Sequence, residues 1–217
     1  MSFLLRVGQM TAASREAKEY WQQLIRGMDV SNPDVPFAFL YSAGGYGDET
    51  LSIASGNSSD YQEWDLEGSI GVPDTIITKY KGFGAMKSDV ELFLPNFKAL
   101  IKSETPTLLQ LQDGSLPEFF SHDIPIMNMT QKCEAAAFLP IRSTGDNVLG
   151  FLLVGINPRK RWDDDYSIFV ELLNRQIATS MAVSLNVLLF RSTLTHTVYF
   201  VARGRSSAFE TLIRTGR

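Results

Sequence analysis

The 217-residue chain is 44% apolar and 20% charged, which is enough apolar side chain to bury the core of one domain. Its net charge of −4 excludes the concentrated basic face that a nucleic-acid surface requires. The longest uncharged run, between Arg175 and Arg191, is interrupted by Gln176, Thr179, Ser180, Ser184 and Asn186. It falls short of the roughly 20 apolar residues of a membrane span, so no membrane partner is expected.

Ala13, Ala17, Trp21, Leu24 and Met28 recur at helical spacing, with Arg15, Lys18, Glu19, Gln22 and Arg26 turned the other way, which predicts an amphipathic first helix over 13–28. Residues 31–34 break that pattern. The following run, 36–42, places Phe37, Phe39 and Tyr41 on one face of a strand. Glycines 44, 45 and 47 make a turn, and the alternation over 50–55 suggests the hairpin partner. From 56 to 105 the periodicity weakens and Gly68, Gly71, Pro73, Gly82, Gly84 and Pro95 divide the chain into short pieces, helical beyond Pro95. A connection of about fifty residues is too long for a passive loop, so this segment reads as a helical insert. A third strand is expected over 107–112, stopped by Asp113 and Gly114.

The C-terminal half is the most legible part. Apolar strands are expected over 135–141 and 147–156, followed by a polar hairpin over 157–165 and a long amphipathic helix over 166–190. Strict alternation would put Val148, Leu152, Val154 and Ile156 on one strand face and Leu149, Phe151 and Leu153 on the other. A strand apolar on both faces belongs in the middle of a sheet. Asp163 is placed to cap the helix, with Asp164 and Asp165 against its positive end. Phe169, Leu172, Leu173, Ile177, Met181, Leu185 and Leu188 then form a stripe at i+3 and i+4 steps, read as packing on the sheet.

The run from Asn147 to Ala182, with Gly155-Ile-Asn-Pro-Arg159, an acidic cap and Arg175-Gln-Ile-Ala178 on the helix, resembles the closing strand and C-terminal helix of a GAF domain. It is most similar to the GAF region of fungal hybrid histidine kinases and related response-regulator proteins. Leu66-Glu-Gly-Ser-Ile-Gly-Val-Pro73 and Thr107-Leu-Leu-Gln-Leu-Gln-Asp-Gly114 look like segments of the same group, so the resemblance covers about residues 37 to 190. It implies an α+β GAF-like domain over 1–190. A central antiparallel β-sheet of about five to six strands would be flanked by N- and C-terminal helices, with the helical insert over one sheet face. It also implies a regulatory domain of a two-component-type signalling protein, with histidine kinase or response-regulator modules as partners. Residues 191–217 depart from it: they are β-branched, then basic, with five arginines and one acidic residue.

No catalytic constellation emerges, so no enzyme is expected. The two histidines, His122 and His196, are far apart and there is no second cysteine, which leaves a zinc site without ligands. Cys133 also excludes an internal disulfide, and the first six residues lack the apolar length of a signal peptide, so a reducing, cytoplasmic setting is expected. Beside Glu134, the Cys133 thiol reads as inert. Ser121-His-Asp-Ile-Pro125 matches a histidine-kinase phosphoacceptor box only in part, and its Asp-Ile-Pro resembles a bilin-holding element without the attachment residue beside it. A plain turn at Pro125 is the simpler reading.

Two site expectations follow. A small-molecule ligand, its identity and any cofactor unspecified, would sit between the sheet and the insert within reach of Phe39, Tyr41, Trp64 and Phe83. A homodimer would form through Trp21, Leu24 and Met28 of the first helix and Met181, Leu185 and Leu188 of the last, whose distal half the resemblance implies projects from the domain. The competing function is an interaction module whose pocket is filled by its own aromatic side chains. A cavity above about 300 Å³ with convergent polar groups would favour ligand sensing.

Overall fold

The computed structural model describes residues 2–12, 14, 16–28, 35–43, 64–73, 96–118, 120, 132–142 and 148–184. In chain order the elements are α1 (Ser2–Thr11), α2 (Ala17–Met28), β1 (Ala38–Ala43), β2 (Trp64–Ile70), α3 (Phe97–Lys102), β3 (Thr107–Gln110), β4 (Ala135–Arg142), β5 (Val148–Gly155) and α4, helical over 164–184. The strands form one antiparallel sheet in the order β2-β1-β5-β4-β3. β5 is therefore central, as its apolar residues on both faces require. Pro140 is accommodated in β4 because β3 pairs only as far as Phe138, so that among the described residues no strand flanks Pro140 on that side.

The two faces differ. Ala38, Leu40, Ala137, Leu139, Leu152 and Val154 point to a helical side covered by α1, α2 and α4, while Phe39, Tyr41, Phe138, Phe151 and Leu153 point to an aromatic side. Strict alternation misassigns the start of β5. Ile141 pairs with Gly150 but Arg142 pairs with Val148, so Leu149 is an extra residue in a β-bulge. The bulge shifts the pleat by one: Leu149 joins the helical side and Val148 the aromatic side. A second bulge at Glu67 separates the Leu40–Gly68 pair from the Tyr41–Leu66 pair. There the Ser42 hydroxyl donates to Glu67 Oε1 at 2.6 Å.

Three expectations change. A separate helix, α1, precedes α2, which begins at Ala17 rather than at residue 13. Besides β5, β1 pairs with β2, from the segment read as insert, and residues 50–55 lie outside the described residues. The α4 stripe is also rotated: its core-facing residues are Tyr166, Val170, Leu173, Ile177 and Met181, whereas Leu172 is 44% exposed.

The helical layer is tightly locked. A Cβ added to Gly27 would lie 3.2 Å from Val7 Cα, which shows how closely α1 and α2 approach. The buried Tyr20 hydroxyl of α2 donates to the Ile177 carbonyl of α4 at 2.8 Å and lies 2.6 Å from Ser180 Oγ. Its burial raises the phenol's pKa, so the ring stays protonated and bonded. Asp163 caps α4 as its position predicts, Oδ1 accepting from the Tyr166 amide at 2.9 Å. No helix among the described residues is long and apolar enough to cross a membrane.

Candidate functional site

The aromatic side is the distinctive surface of this sheet. Phe37, just before β1, and Phe39 and Tyr41 within it recur at every second residue, β2 contributes Trp64, β4 Phe138 and β5 Phe151. Phe151 is the hub. Tyr41 stacks on it at 4.7 Å and 15°, and Phe138 at 5.0 Å and 23°, while Trp64 meets it edge-on at 5.2 Å. Phe97, from the short helix α3, fits edge-to-face among Trp64, Phe138 and Phe151. Phe37, Phe39 and Phe120 make a second group beside it, with Phe37 and Phe120 stacked at 5.7 Å. Gly155 makes room for this group, since a Cβ there would meet the Phe37 ring at 2.4 Å.

Three of the four expected ligand residues are thus brought to one face. Phe39, Tyr41 and Trp64 are 2%, 5% and 6% exposed, so each is enclosed by its neighbours within the chain. Phe83 lies outside the described residues, as do His122 and Asp123–Pro125. Phe97, Phe138 and Phe151 belong to the same cluster and are not among the expected ligand residues; Phe97 comes from α3 and Phe138 from β4, so it is the tertiary pairing of distant segments that brings them to Phe151.

The expected dimer residues are placed differently. Trp21, Leu24 and Met28 are buried in the core of a single chain, as is Met181. A five-stranded face covers both α2 and α4, and α1 closes over α2, so these side chains are satisfied without a second copy. Leu185 and Leu188 lie outside the described residues. Among the described residues the exposed large apolar side chains of the helical layer are instead Leu5 on α1 and Ile168, Leu172 and Val183 on α4.

Among the described residues the aromatic side carries two polar features. Cys133 is buried there, with its thiol donating to the carbonyls of Ala135 at 3.0 Å and Ile156 at 3.2 Å. Burial, reinforced by the charge of Glu134, pushes its pKa up to about 11, which keeps it a thiol rather than a nucleophilic thiolate. The Arg142 guanidinium reaches from the end of β4 to the C-terminal carbonyls of α3, with Nη2 2.8 Å from Ile101 O and 3.2 Å from Ser103 O. Among the described residues no three of the side chains able to ligate a metal lie together.

A five-stranded antiparallel sheet in this order, with terminal helices on one side and a short helix on the other, is the α+β architecture of GAF domains, and the chain has that fold. It superposes on the GAF domain of a phosphoenolpyruvate-protein phosphotransferase from Coxiella burnetii with a TM-score of 0.51 at 11% identity, over 85% of this chain and 93% of that one. The corresponding GAF domain from Acinetobacter gives 0.48 at 13% identity, over 85% and 93%. The GAF domain/HD domain protein from Geobacter sulfurreducens gives 0.45 at 13%, over 87% and 97%. At these identities the likeness is one of fold. No protein-family model and no curated protein matches the chain.

Proposed function

We propose that the chain is a non-catalytic sensory GAF domain of a cytoplasmic, two-component-type signalling protein. It binds a small molecule at the aromatic side and relays the change through α1, α2 and α4 to histidine kinase or response-regulator modules. The observation that carries this reading is the two-sidedness of the sheet: α1, α2 and α4 pack on one face, and the other gathers Phe39, Tyr41 and Trp64. Relay has a physical route, because β1 and β5 contribute side chains to both faces. Displacing Tyr41 or Phe151 on one side therefore moves Leu40 or Leu152 on the other, against α2 and α4. The proposed unit is the domain over 1–190 with 191–217 as a separate extension, and its proposed assembly is a homodimer. The kinship to fungal hybrid histidine kinases is part of the same proposal.

The second reading, an interaction module with a filled face, is favoured by the mutual burial of the three ligand residues. Native mass spectrometry of the purified chain separates the two. A retained small molecule supports sensing. A bare mass, together with no change of tryptophan emission on titration with cyclic nucleotides or bilins relative to Trp64→Phe, supports the interaction module.

A further inference from the structure

Five rings form the heart of the aromatic side: Tyr41, Trp64, Phe138 and Phe151 from four different strands, and Phe97 from α3. The strand rings are fixed by the sheet's ladders, whereas Phe97 is carried by a short helix. α3 is six residues long, well below the length at which a helix sustains itself. Its N-cap, Asn96, adopts a left-handed conformation (φ 61°, ψ 25°) and is the one non-glycine residue with positive φ among the described residues. Its side chain makes no capping hydrogen bond, and such a conformation is tolerated by asparagine but disfavoured relative to the right-handed one. At the other end the helix is fastened through two carbonyls, Ile101 and Ser103, to Arg142.

The placement of the Phe97 ring is that of an occupant. Its plane stands at 84° to Trp64, 88° to Phe138 and 67° to Phe151, with centroids 5.7, 6.1 and 5.3 Å away. The three strand rings thus enclose one flat ring on three sides. A free planar molecule of similar thickness would find the same edge-to-face partners, which such ring pairs favour beyond simple burial.

We propose that α3 is a displaceable plug: Phe97 fills the seat of a planar aromatic ligand among Trp64, Phe138 and Phe151, and Arg142 is the latch that holds it there. The proposal rests on the sensory reading and adds to it the ligand class, a flat and largely apolar ring, and the switch. Binding then requires that α3 lift away, so the apparent affinity is the intrinsic affinity reduced by the fraction of molecules with the plug out. Ligand occupancy is read out as release of α3 from the end of β4.

The test uses the full chain with 5-fluoroindole as the planar probe, followed by fluorine NMR, and amide hydrogen exchange at Leu100 and Ser103. These two amides donate to the carbonyls of Asn96, Ala99 and Leu100 inside α3. The wild-type chain is expected to bind the probe and to exchange both amides about tenfold faster when saturated, because the open state becomes the populated one. Arg142→Met removes the latch and is expected to tighten probe binding about tenfold. Phe97→Ala tightens it further, and adding Arg142→Met to Phe97→Ala gives no additional gain, since the latch then holds nothing.

A probe that binds only to Phe97→Ala, with no effect of Arg142→Met, would identify Phe97 as an ordinary core residue whose removal leaves a cavity, and would overturn the proposal. Binding to the wild type with unchanged exchange in α3 also overturns it. If Phe97→Ala does not fold, wild-type exchange and Arg142→Met carry the test. A small molecule retained in native mass spectrometry alongside an unresponsive α3 refutes the plug and leaves the sensory reading standing. No retained molecule, no tryptophan response and no probe binding refute both.

Discussion

Leu173 lies fully buried between α4 and the sheet, while Leu172, one position earlier on the same helix, is 44% exposed. Leu173→Ala removes buried methyl groups and leaves a cavity, at an expected cost of about 2–4 kcal/mol. Leu172→Ala is expected to change stability by less than about 0.5 kcal/mol, as surface substitutions do. Denaturant titration of the pair checks both, and equal losses would mean that the helix is rotated from this placement. The stripe read from spacing included both leucines, because periodicity locates the apolar side of a helix without its exact centre. Tyr166 and Val170 settle that centre. Cys133 supplies a second prediction at this scale. Its folded pKa of about 11 lies above the ordinary thiol value of 9.0, so its contribution to stability is fully present below pH 9 and is lost as the pH rises to 11. The loss amounts to about 3 kcal/mol at most. Thermal melts should fall across that window and fall less in Cys133→Ala, and thiol reagents at pH 7 should react only with the unfolded chain.

At the scale of elements, Tyr20 is the clasp between α2 and α4. Tyr20→Phe keeps the ring and its packing but leaves the Ile177 carbonyl without this donor, with an expected loss of about 1–2 kcal/mol. A melt of Ser180→Ala, which leaves the Tyr20 bond to Ile177 in place, should show the smaller drop. The elements also explain what could be read in advance. β4, β5 and α4 were legible because two-sided apolar strands, a capping aspartate and a long stripe are strong local signals. β2 was not: Trp64-Asp-Leu-Glu-Gly-Ser-Ile70 carries two acids and a glycine, and its bulge at Glu67 breaks the alternation that would betray a strand. α1 was missed since its Phe3, Leu4 and Val7 offer less than two turns of pattern around Gly8. Of the candidate site, the aromatic strand β1 was visible in sequence. That Phe97, Phe138 and Phe151 converge on it depends on pairing between segments about fifty to one hundred residues apart, which no local pattern encodes.

For the whole molecule, the burial of Trp21, Leu24, Met28 and Met181 moves any contact between copies to the outside of the helical layer. Ile168, Leu172 and Val183 share one face of α4, four and then eleven residues apart, and α1 lies alongside through Phe3 against Phe169. Leu5 is exposed on that same α1. The proposed homodimer therefore has this outer stripe as its described apolar surface, whereas the inward side chains hold each copy together. Two substitutions distinguish these roles. Leu172→Glu places a charge on the outer stripe and is expected to convert the dimer to a folded monomer at tens of micromolar, whose melting temperature no longer depends on concentration. Trp21→Glu puts an unpaired charge into the core beneath α2 and is expected to unfold the chain, since burying such a group is far more costly than losing a contact. Light scattering with a parallel melt checks both. A monomeric wild-type chain at that concentration would remove the homodimer from the proposed function, and a dimer that survives Leu172→Glu would move the interface away from this face of α4.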